Sequence, residues 1–455
     1  MATNSLSLLD VYRQRIQQLD PIVVKGQISK IVGTIVESIG PTASLGDLCY
    51  IFPRSPLAGL AQWQQGNKNV KKYAKAEVVG FRDNKVLLMS LSDLSGYSPG
   101  SQVVASHEEL SIAVGKELLG RVLNGLGEPI DGKGMILTGE RRPIHNLPPN
   151  PLHRQPIRQV LATGIKSIDS FITLGKGQRV GIFSGSGVGK SVLLGMIARN
   201  TAADVNVIAL IGERGREVRE FVERDLGPEG LKRSVVVAAT SDVPPLIRLK
   251  GALVATTIAE YFRDLGLDVL LMMDSITRVA MAQREIGLAV GEPPTTKGYP
   301  PSTFSMLPKL LERAGNLSQG SITGLYAVLV EADDLNDPVA DAVRSILDGH
   351  IVLSRDLAQM GHYPAVDPLQ SVSRVMNDVV SEQHLRIARR VFQILATYRE
   401  AQDLINIGAY VKGSNPKIDE AIAMIDRVNA FLRQDRQEKL SFQQTIQRLE
   451  KLLQN

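Results

Sequence analysis

The chain has 455 residues, of which 44% are hydrophobic and 22% charged. That composition excludes intrinsic disorder, and at roughly 100–200 residues per domain the length excludes a single domain. Lys and Arg number 52 against 47 Asp and Glu, and a formal charge of +5 argues for neither nucleic acid nor membrane. Aromatics are 5%, which leaves few stacking platforms for single-stranded nucleic acid, and the one cysteine, Cys49, excludes a disulfide framework and a Cys-based zinc site.

The N-terminus lacks a basic region followed by an apolar one, and no run approaches the ~18 apolar residues of a membrane span. The chain therefore reads as soluble and cytoplasmic. Ser7-Leu8-Leu9-Asp10 has the spacing of a capping box, and Leu8, Tyr12, Ile16 and Leu19 recur at helical spacing until Pro21. This amphipathic helix, residues 1–22, either packs on its own domain or docks a partner. From 23 to 96 the pattern changes to short alternating segments at 28–37, 48–52, 76–81 and 85–91, punctuated by Gly40-Pro41, Gly46 and Asp83-Asn84. Such spacing predicts a small β-barrel or sandwich, with a polar loop at 62–72.

From 97 to 380 apolar runs at 179–183, 205–211, 234–239, 269–273, 323–329 and 350–353 alternate with helix-like stretches. Alternation of this kind predicts a multidomain α/β protein whose central parallel sheet is covered by helices on both faces. The proline-rich stretch 143–156 reads as an extended connection ahead of the core. From 381 to 455 strand signals disappear. Leu385, Ala388, Val391, Phe392, Leu395 and Tyr398 keep helical spacing, as do Phe442, Ile446, Leu449 and Leu453 after Ser441 as a cap. A C-terminal helical domain is expected.

The chemistry concentrates in 179–191, where an apolar strand runs into Gly185, Ser186, Gly187, Val188, Gly189, Lys190 and Ser191, followed by an apolar helix. This is the context a P-loop requires. Glycines let successive backbone N–H groups face phosphate oxygens, and the helix points its positive end at them. Lys190 is the candidate for the β- and γ-phosphates of ATP, and Ser191 the candidate Mg²⁺ ligand. Ser184 stands where the pattern has its first glycine. The run 269–273 ends in Asp274, a second candidate for the Mg²⁺ shell. Gly212-Glu213-Arg214 follows the run 205–211. Strand C-terminal ends converge on the ligand crevice of a parallel sheet, so Glu213 is placed to act on water and Arg214 to neutralise phosphate charge.

These segments, with Asp274-Ser275-Ile276-Thr277-Arg278, resemble the catalytic subunits of rotary ATP synthases. The stretches 291–301 and 312–315 look like the ATPases of type III protein export, and 81–84, 404–410 and 413–416 look most like the flagellar branch. The resemblance spans about 26–432. It implies an N-terminal β-barrel, a RecA-like core and a helical C-terminal domain in a homohexamer that hydrolyses ATP with Mg²⁺. It matches Lys190 and Ser191 to the P-loop pair, Glu213 to the catalytic glutamate and Asp274 to the second magnesium-site acid. It also matches Arg374, in Ser371-Val372-Ser373-Arg374, to an arginine finger acting on the neighbouring subunit's nucleotide. Tyr363 matches a tyrosine against the adenine ring, and Arg214 and Arg278 match arginines near the phosphates, with structural ion pairs an open alternative for both. Implied partners are a stator-like regulatory export protein on the N-terminal helix, a coiled-coil stalk protein, a membrane export gate, and export substrates with their chaperones. The implied location is the cytoplasmic face of the membrane.

Three other functions compete. A non-catalytic rotary subunit would lack Glu213. An RNA translocase would need an aromatic and basic N-terminal domain, and residues 1–96 offer Trp63, Phe52, Phe81 and Lys71-Lys72 but no aromatic-rich motif. No nucleic-acid partner is expected. A virulence secretion ATPase differs from the flagellar form only in a few segments.

Overall fold

The computed structural model describes residues 24–54, 73–330 and 337–454. The helix expected within 1–22 and the loop expected at 62–72 lie outside the described residues. Two units divide the chain, residues 1–110 and 111–455.

In the first unit six antiparallel strands close a barrel. They are β1 (Lys25–Val32), β2 (Ile35–Ile39), β3 (Leu48–Phe52), β4 (Ala74–Arg82), β5 (Lys85–Ser90) and β6 (Gln102–Ala105), in the order β1-β2-β5-β4-β3-β6. Alternation decides which face goes inward. Ile28, Val36, Cys49, Ile51, Val78, Leu88 and Val103 fill the interior. Burial pushes the Cys49 thiol up to about 12, so it behaves as a small apolar side chain. Asp83 and Asn84, at φ 47° and 60°, form the two-residue turn between β4 and β5. From sequence the barrel ends at 96. Its closing strand β6 lies beyond that point, because a four-residue strand carries too little alternation to read.

The second unit centres on a sheet of nine strands. In chain order these are β8 (Val122–Asn124), β12 (Arg179–Ser184), β13 (Val205–Ile211), β14 (Ser234–Ala239), β15 (Asp268–Asp274), β16 (Gly315–Asn316), β17 (Ser321–Leu329), β18 (Gly349–Leu353) and β19 (Val366–Ser373). The order is β19-β18-β12-β17-β15-β13-β14-β8, with β16 beside β17. All pairs are parallel except β18 with β19 and β16 with β17. Two small ladders flank it, β7 (Ser111–Val114) with β9 (Glu140–Pro143) and β10 (Val160–Leu161) with β11 (Leu174–Gly175). All six apolar runs expected as strands form strands. Every residue of β13 and β14 is buried, as a parallel sheet covered on both faces requires.

The flanking helices are α1 (Lys166–Phe171), α2 (Lys190–Asn200), α3 (Gly215–Glu220), α4 (Gly227–Lys232), α5 (Pro245–Asp264), α6 (Ile276–Val290), α7 (Pro301–Leu311), α8 (Pro338–Ile346), α9 (Arg355–Gln359) and α10 (Met376–Val379). A π-helical turn, Phe221–Leu226, joins α3 to α4. The C-terminal helices are α11 (Glu382–Asn406), α12 (Pro416–Leu432) and α13 (Phe442–Gln454). Ser381 and Asn415 cap the first two, and Ser441 Oγ accepts from Gln444 N at 3.3 Å ahead of the third. Phe171 of α1 meets Phe392 and Phe431 edge to face, and the three helices share one apolar core with α1 and the sheet.

Candidate nucleotide site

The register of β12, β17, β15 and β13 brings Ser184, Asp274 and Ile211 to one edge of the sheet. Past β12 the chain turns through Gly185, Ser186, Gly187, Val188 and Gly189 into α2. Gly187 and Gly189 hold φ of 81° and 92°, a region that strains any residue with a β-carbon. Val188 is buried and anchors the loop in the core below. α2 starts at Lys190 with no side-chain cap. The first-turn N–H groups and the positive end of the helix dipole are therefore left to an anion. Ser184 keeps a strand conformation, and its carbonyl accepts from Val330 N at 3.1 Å. A side chain is tolerated there without disturbing the loop. Its Oγ is buried and has no hydrogen-bond partner.

Lys190 Nζ forms an ion pair with Asp274 Oδ1 and lies 3.7 Å from Glu213 Oε1. Asp274 is 3% exposed at the end of β15. Glu213 follows β13, and its carbonyl accepts from Ser241 N at 3.0 Å. Burial pushes the Glu213 carboxyl up to about 7, reinforced by a hydrogen bond to Glu217 and by the charge of Asp274, against the pull of Lys190. That hydrogen bond holds Glu217 below the usual carboxylate range. Gly212 has φ 72°, and a β-carbon on it would lie 2.8 Å from Arg278 Cβ. The absent side chain lets the stem of Arg278 pack beside the Glu213 turn.

Ser191 and Asp274 offer a hydroxyl and a carboxylate. Among the described residues no group of three or more His, Cys, Asp or Glu side chains is arranged to hold a metal by itself. Such a hard-oxygen set suits Mg²⁺, which takes one or two protein oxygens and completes its shell with phosphates and water. The residues present fit that ion.

Tyr363 stands over the other side of the loop. Its ring atoms lie 3.4 and 3.5 Å from where a Gly189 β-carbon would sit. With Pro364, Val192, Met196 and residues 434–437 it lines a cleft of about 580 Å³ beside Gly187 and Gly189. Gln434 fixes the far wall. Its N–H donates to Tyr363 O at 2.9 Å, and its side chain bonds Lys166 N and Gly164 O, each at 2.8 Å.

The structure thus brings together Lys190, Ser191, Glu213, Asp274, Arg278 and Tyr363. Arg214 turns outward, 83% exposed, 3.7 Å from Glu217. Arg374 stands apart. Val366 pairs with Leu353 and Leu353 is level with Ser184, whereas Ser373 pairs with Gly349 at the opposite end of the sheet. Gly349 lies four residues from Leu353 in β18, so at about 3.3 Å per residue Ser373 is roughly 13 Å, and Arg374 roughly 17 Å, from the level of Ser184. Sequence reasoning missed Glu217 and the 434–437 wall. The four-residue spacing from Glu213 was the available signal for the first, and none existed for the second.

A P-loop at one strand end, a buried aspartate at the next but one and a glutamate beyond it define a P-loop ATP hydrolase. Residues 164–373 match the model of the ATP synthase alpha/beta family nucleotide-binding domain, and 380–451 match the T3SS EscN ATPase C-terminal domain. The chain is 53% identical to the flagellum-specific ATP synthase of Bacillus subtilis over 97% of its own length and 98% of the relative's. It is 49% identical to the type 3 secretion system ATPase of Xanthomonas euvesicatoria over 93% of each. The assembled ATPase EscN of enteropathogenic E. coli superposes with a TM-score of 0.86 at 46% identity, covering 94% of this chain and 99% of that one. EscN in complex with its central stalk EscO gives 0.84. The chain belongs to the family of flagellar and type III secretion export ATPases. Among the described residues no helix is long and apolar enough to cross a membrane.

Proposed function

We propose that this chain is the ATPase of a flagellar protein-export apparatus, working as a homohexamer in which each site is completed by a neighbour. The observation that carries the reading is the separation of the hydrolytic set from Arg374. Lys190, Glu213 and Asp274 lie at one edge of the sheet and Arg374 follows β19 at the other. A guanidinium so placed serves a second copy of the chain and not its own P-loop.

In this reading the loop N–H groups and Lys190 bind the phosphates. Binding exchanges the carboxylate partners of Lys190 for phosphate oxygens and releases Asp274. Ser191 and Asp274 would then hold Mg²⁺, whose chemistry is to neutralise charge on the phosphates. Ionised Glu213 orients the attacking water and takes its proton. Tyr363 and residues 434–437 hold the base. Arg278 lies beside Glu213, within reach of the phosphates, while Arg214 stays on the surface. The neighbour's Arg374 stabilises transition-state charge, a role worth roughly 10³–10⁵ in rate where such fingers are measured.

Hydrolysis is coupled to release of export substrates from chaperones and their entry into a membrane gate, with a stalk protein in the ring and a stator-like partner on residues 1–22. The secretion relatives support the export role, and flagellum-specific relatives at 53% and 52% identity support the flagellar branch. The test mixes Lys190→Ala chains, inactive alone, with Arg374→Ala chains, which alone keep only a low residual activity. Sites that combine an intact P-loop with a neighbour's intact finger restore hydrolysis. A mixture as inactive as its components would overturn the trans arrangement. In the cell, Lys190→Ala is expected to stop filament assembly, and unaffected filaments would overturn the flagellar assignment.

A further inference from the structure

Gln178 immediately precedes β12, is fully buried, and has no part in the nucleotide site of its own chain. Its side chain is completely used. Oε1 accepts from Gly175 N at 2.9 Å, and Nε2 donates to Asp348 O and to Ser373 Oγ, each at 3.1 Å. Ser373 Oγ donates onward to Thr173 O at 2.8 Å. Asp348 O also accepts from Arg374 N at 3.0 Å. The two residues at the end of β19, Ser373 and Arg374, are thus tied to a single buried amide, one directly and one through a shared carbonyl.

Asp348 is fixed in turn. Its carboxylate accepts from Arg179 N at 3.1 Å and from Arg179 Nε and Nη2 at 3.0 Å each, and its N–H donates to Arg179 O at 2.8 Å. Arg179 also pairs with Glu312 after α7. Gly349 permits the close approach, since a β-carbon there would lie 2.5 Å from Val372 O. Beyond this clamp the Arg374 side chain is exposed, and among the described residues no carboxylate pairs with it. The backbone is held and the guanidinium is left to project. This is the arrangement that lets a long side chain reach a neighbouring molecule while losing little further freedom.

We propose that Gln178, with Asp348 and Ser373, is the positioning device for Arg374. It follows that β12 carries the P-loop at one end and, at the other, the mount of the finger that serves the neighbour's nucleotide. The inference rests on the trans role of Arg374.

The test measures steady-state hydrolysis at saturating protein for Gln178→Met, which removes both donors at similar volume, and for Ser373→Ala. Ser373→Thr, which keeps the hydroxyl, is the conservative control. Misplacing a reacting group by about 1 Å costs up to about 100-fold. Both variants are expected to lose roughly 10- to 100-fold in kcat, with KM for MgATP within about twofold. Ser373→Thr is expected to retain wild-type kcat. In the Arg374→Ala background neither variant lowers kcat further, because the group they position is gone. Should Gln178→Met fail to fold, as thermal unfolding would report, Ser373→Ala decides, since Ser373 is only half-buried. Full activity in Arg374→Ala sinks the finger itself. Loss in Arg374→Ala with unchanged kcat in Ser373→Ala sinks the positioning role alone. An equal additional loss in the Arg374→Ala background marks a general structural effect and sinks it as well.

Discussion

Glu213 has Lys190 at 3.7 Å and a hydrogen bond to Glu217, so its protonation is set by both neighbours. A carboxyl held at about 7 is half protonated at neutral pH, and only its ionised form accepts a proton from water. kcat/KM for ATP is therefore expected to rise with pH through about 7. Glu217→Ala removes a contact that raises Glu213, so the rising limb moves to lower pH. An unmoved limb would separate Glu217 from the reaction. Ser184 gives a second test at this scale. Its buried hydroxyl lacks a partner, so Ser184→Ala is expected to stabilise the chain by about 1 kcal/mol in urea unfolding. A loss of stability would mean that the hydroxyl is satisfied. The P-loop residues, Glu213 and Asp274 were legible in the sequence because each stands at the end of an apolar run. Glu217 was not, because a carboxylate on a helix surface looks the same whether solvated or bonded to a neighbour. The wall at 434–437 was hidden because its contacts with 164 and 166 cross 270 and 268 residues of chain, and its contact with 363 is also far from local.

Helix α5 shows how an element is held in place by charges buried beneath it. Glu260 receives Arg313 Nε and Nη2 at 2.7 Å each, and Asn146 Nδ2 at 2.8 Å, while Arg313 Nη1 donates to Ile144 O at 2.9 Å. Arg313 is 1% exposed. The pair locks the proline-rich connection at 143–156 onto α5 and the segment after α7. Arg313→Met leaves Glu260 without its bidentate partner and is expected to cost about 3–5 kcal/mol. Replacing both by apolar residues of similar volume is expected to cost less, and an equal loss would contradict the ion-pair account. Beside the pair, Lys250 Nζ lies 2.7 Å from His145 Nε2. Burial, then the charges of Lys250 and Arg313, lower the His145 imidazole from 6.5 to about 4. The unfolded chain binds that proton more readily. Stability is therefore fully present above pH 6.5 and lost as pH falls towards 4. His145→Gln should shrink this acid-side loss, leaving the share of His362, which is also held at about 4. An unchanged pH–stability curve would exclude His145. At this scale the buried parallel strands were plain in the sequence, being continuous apolar runs. Strand β19 was not, because an antiparallel edge tolerates Asp367, Pro368 and Gln370.

At the scale of the whole molecule, the proposed reading gives every role to a residue of one chain, yet that chain does not bring Arg374 to its own P-loop. The P-loop edge and Arg374 stand at opposite ends of the parallel strands, and rotation of one arginine side chain does not cover the roughly 17 Å between them. The proposed trans arrangement therefore calls for copies packed head to tail, with the Arg374 end of one against the P-loop end of the next. A head-to-tail interface repeats, and it ends only when the rotation closes a ring. Activity per protomer should therefore depend on total protein concentration. Dilution below the assembly threshold is expected to reduce specific activity towards the level of Arg374→Ala, which keeps the P-loop but gains nothing from neighbours. Wild type should show a steep rise on concentration, and Arg374→Ala a flat, low line whether or not it assembles. ATP should shift the wild-type rise to lower concentration, because a ligand bound across an interface stabilises the assembled form. A specific activity that stays constant across dilution, while sedimentation shows monomers, would mean that the site is complete within one chain and that Arg374 has no part in it.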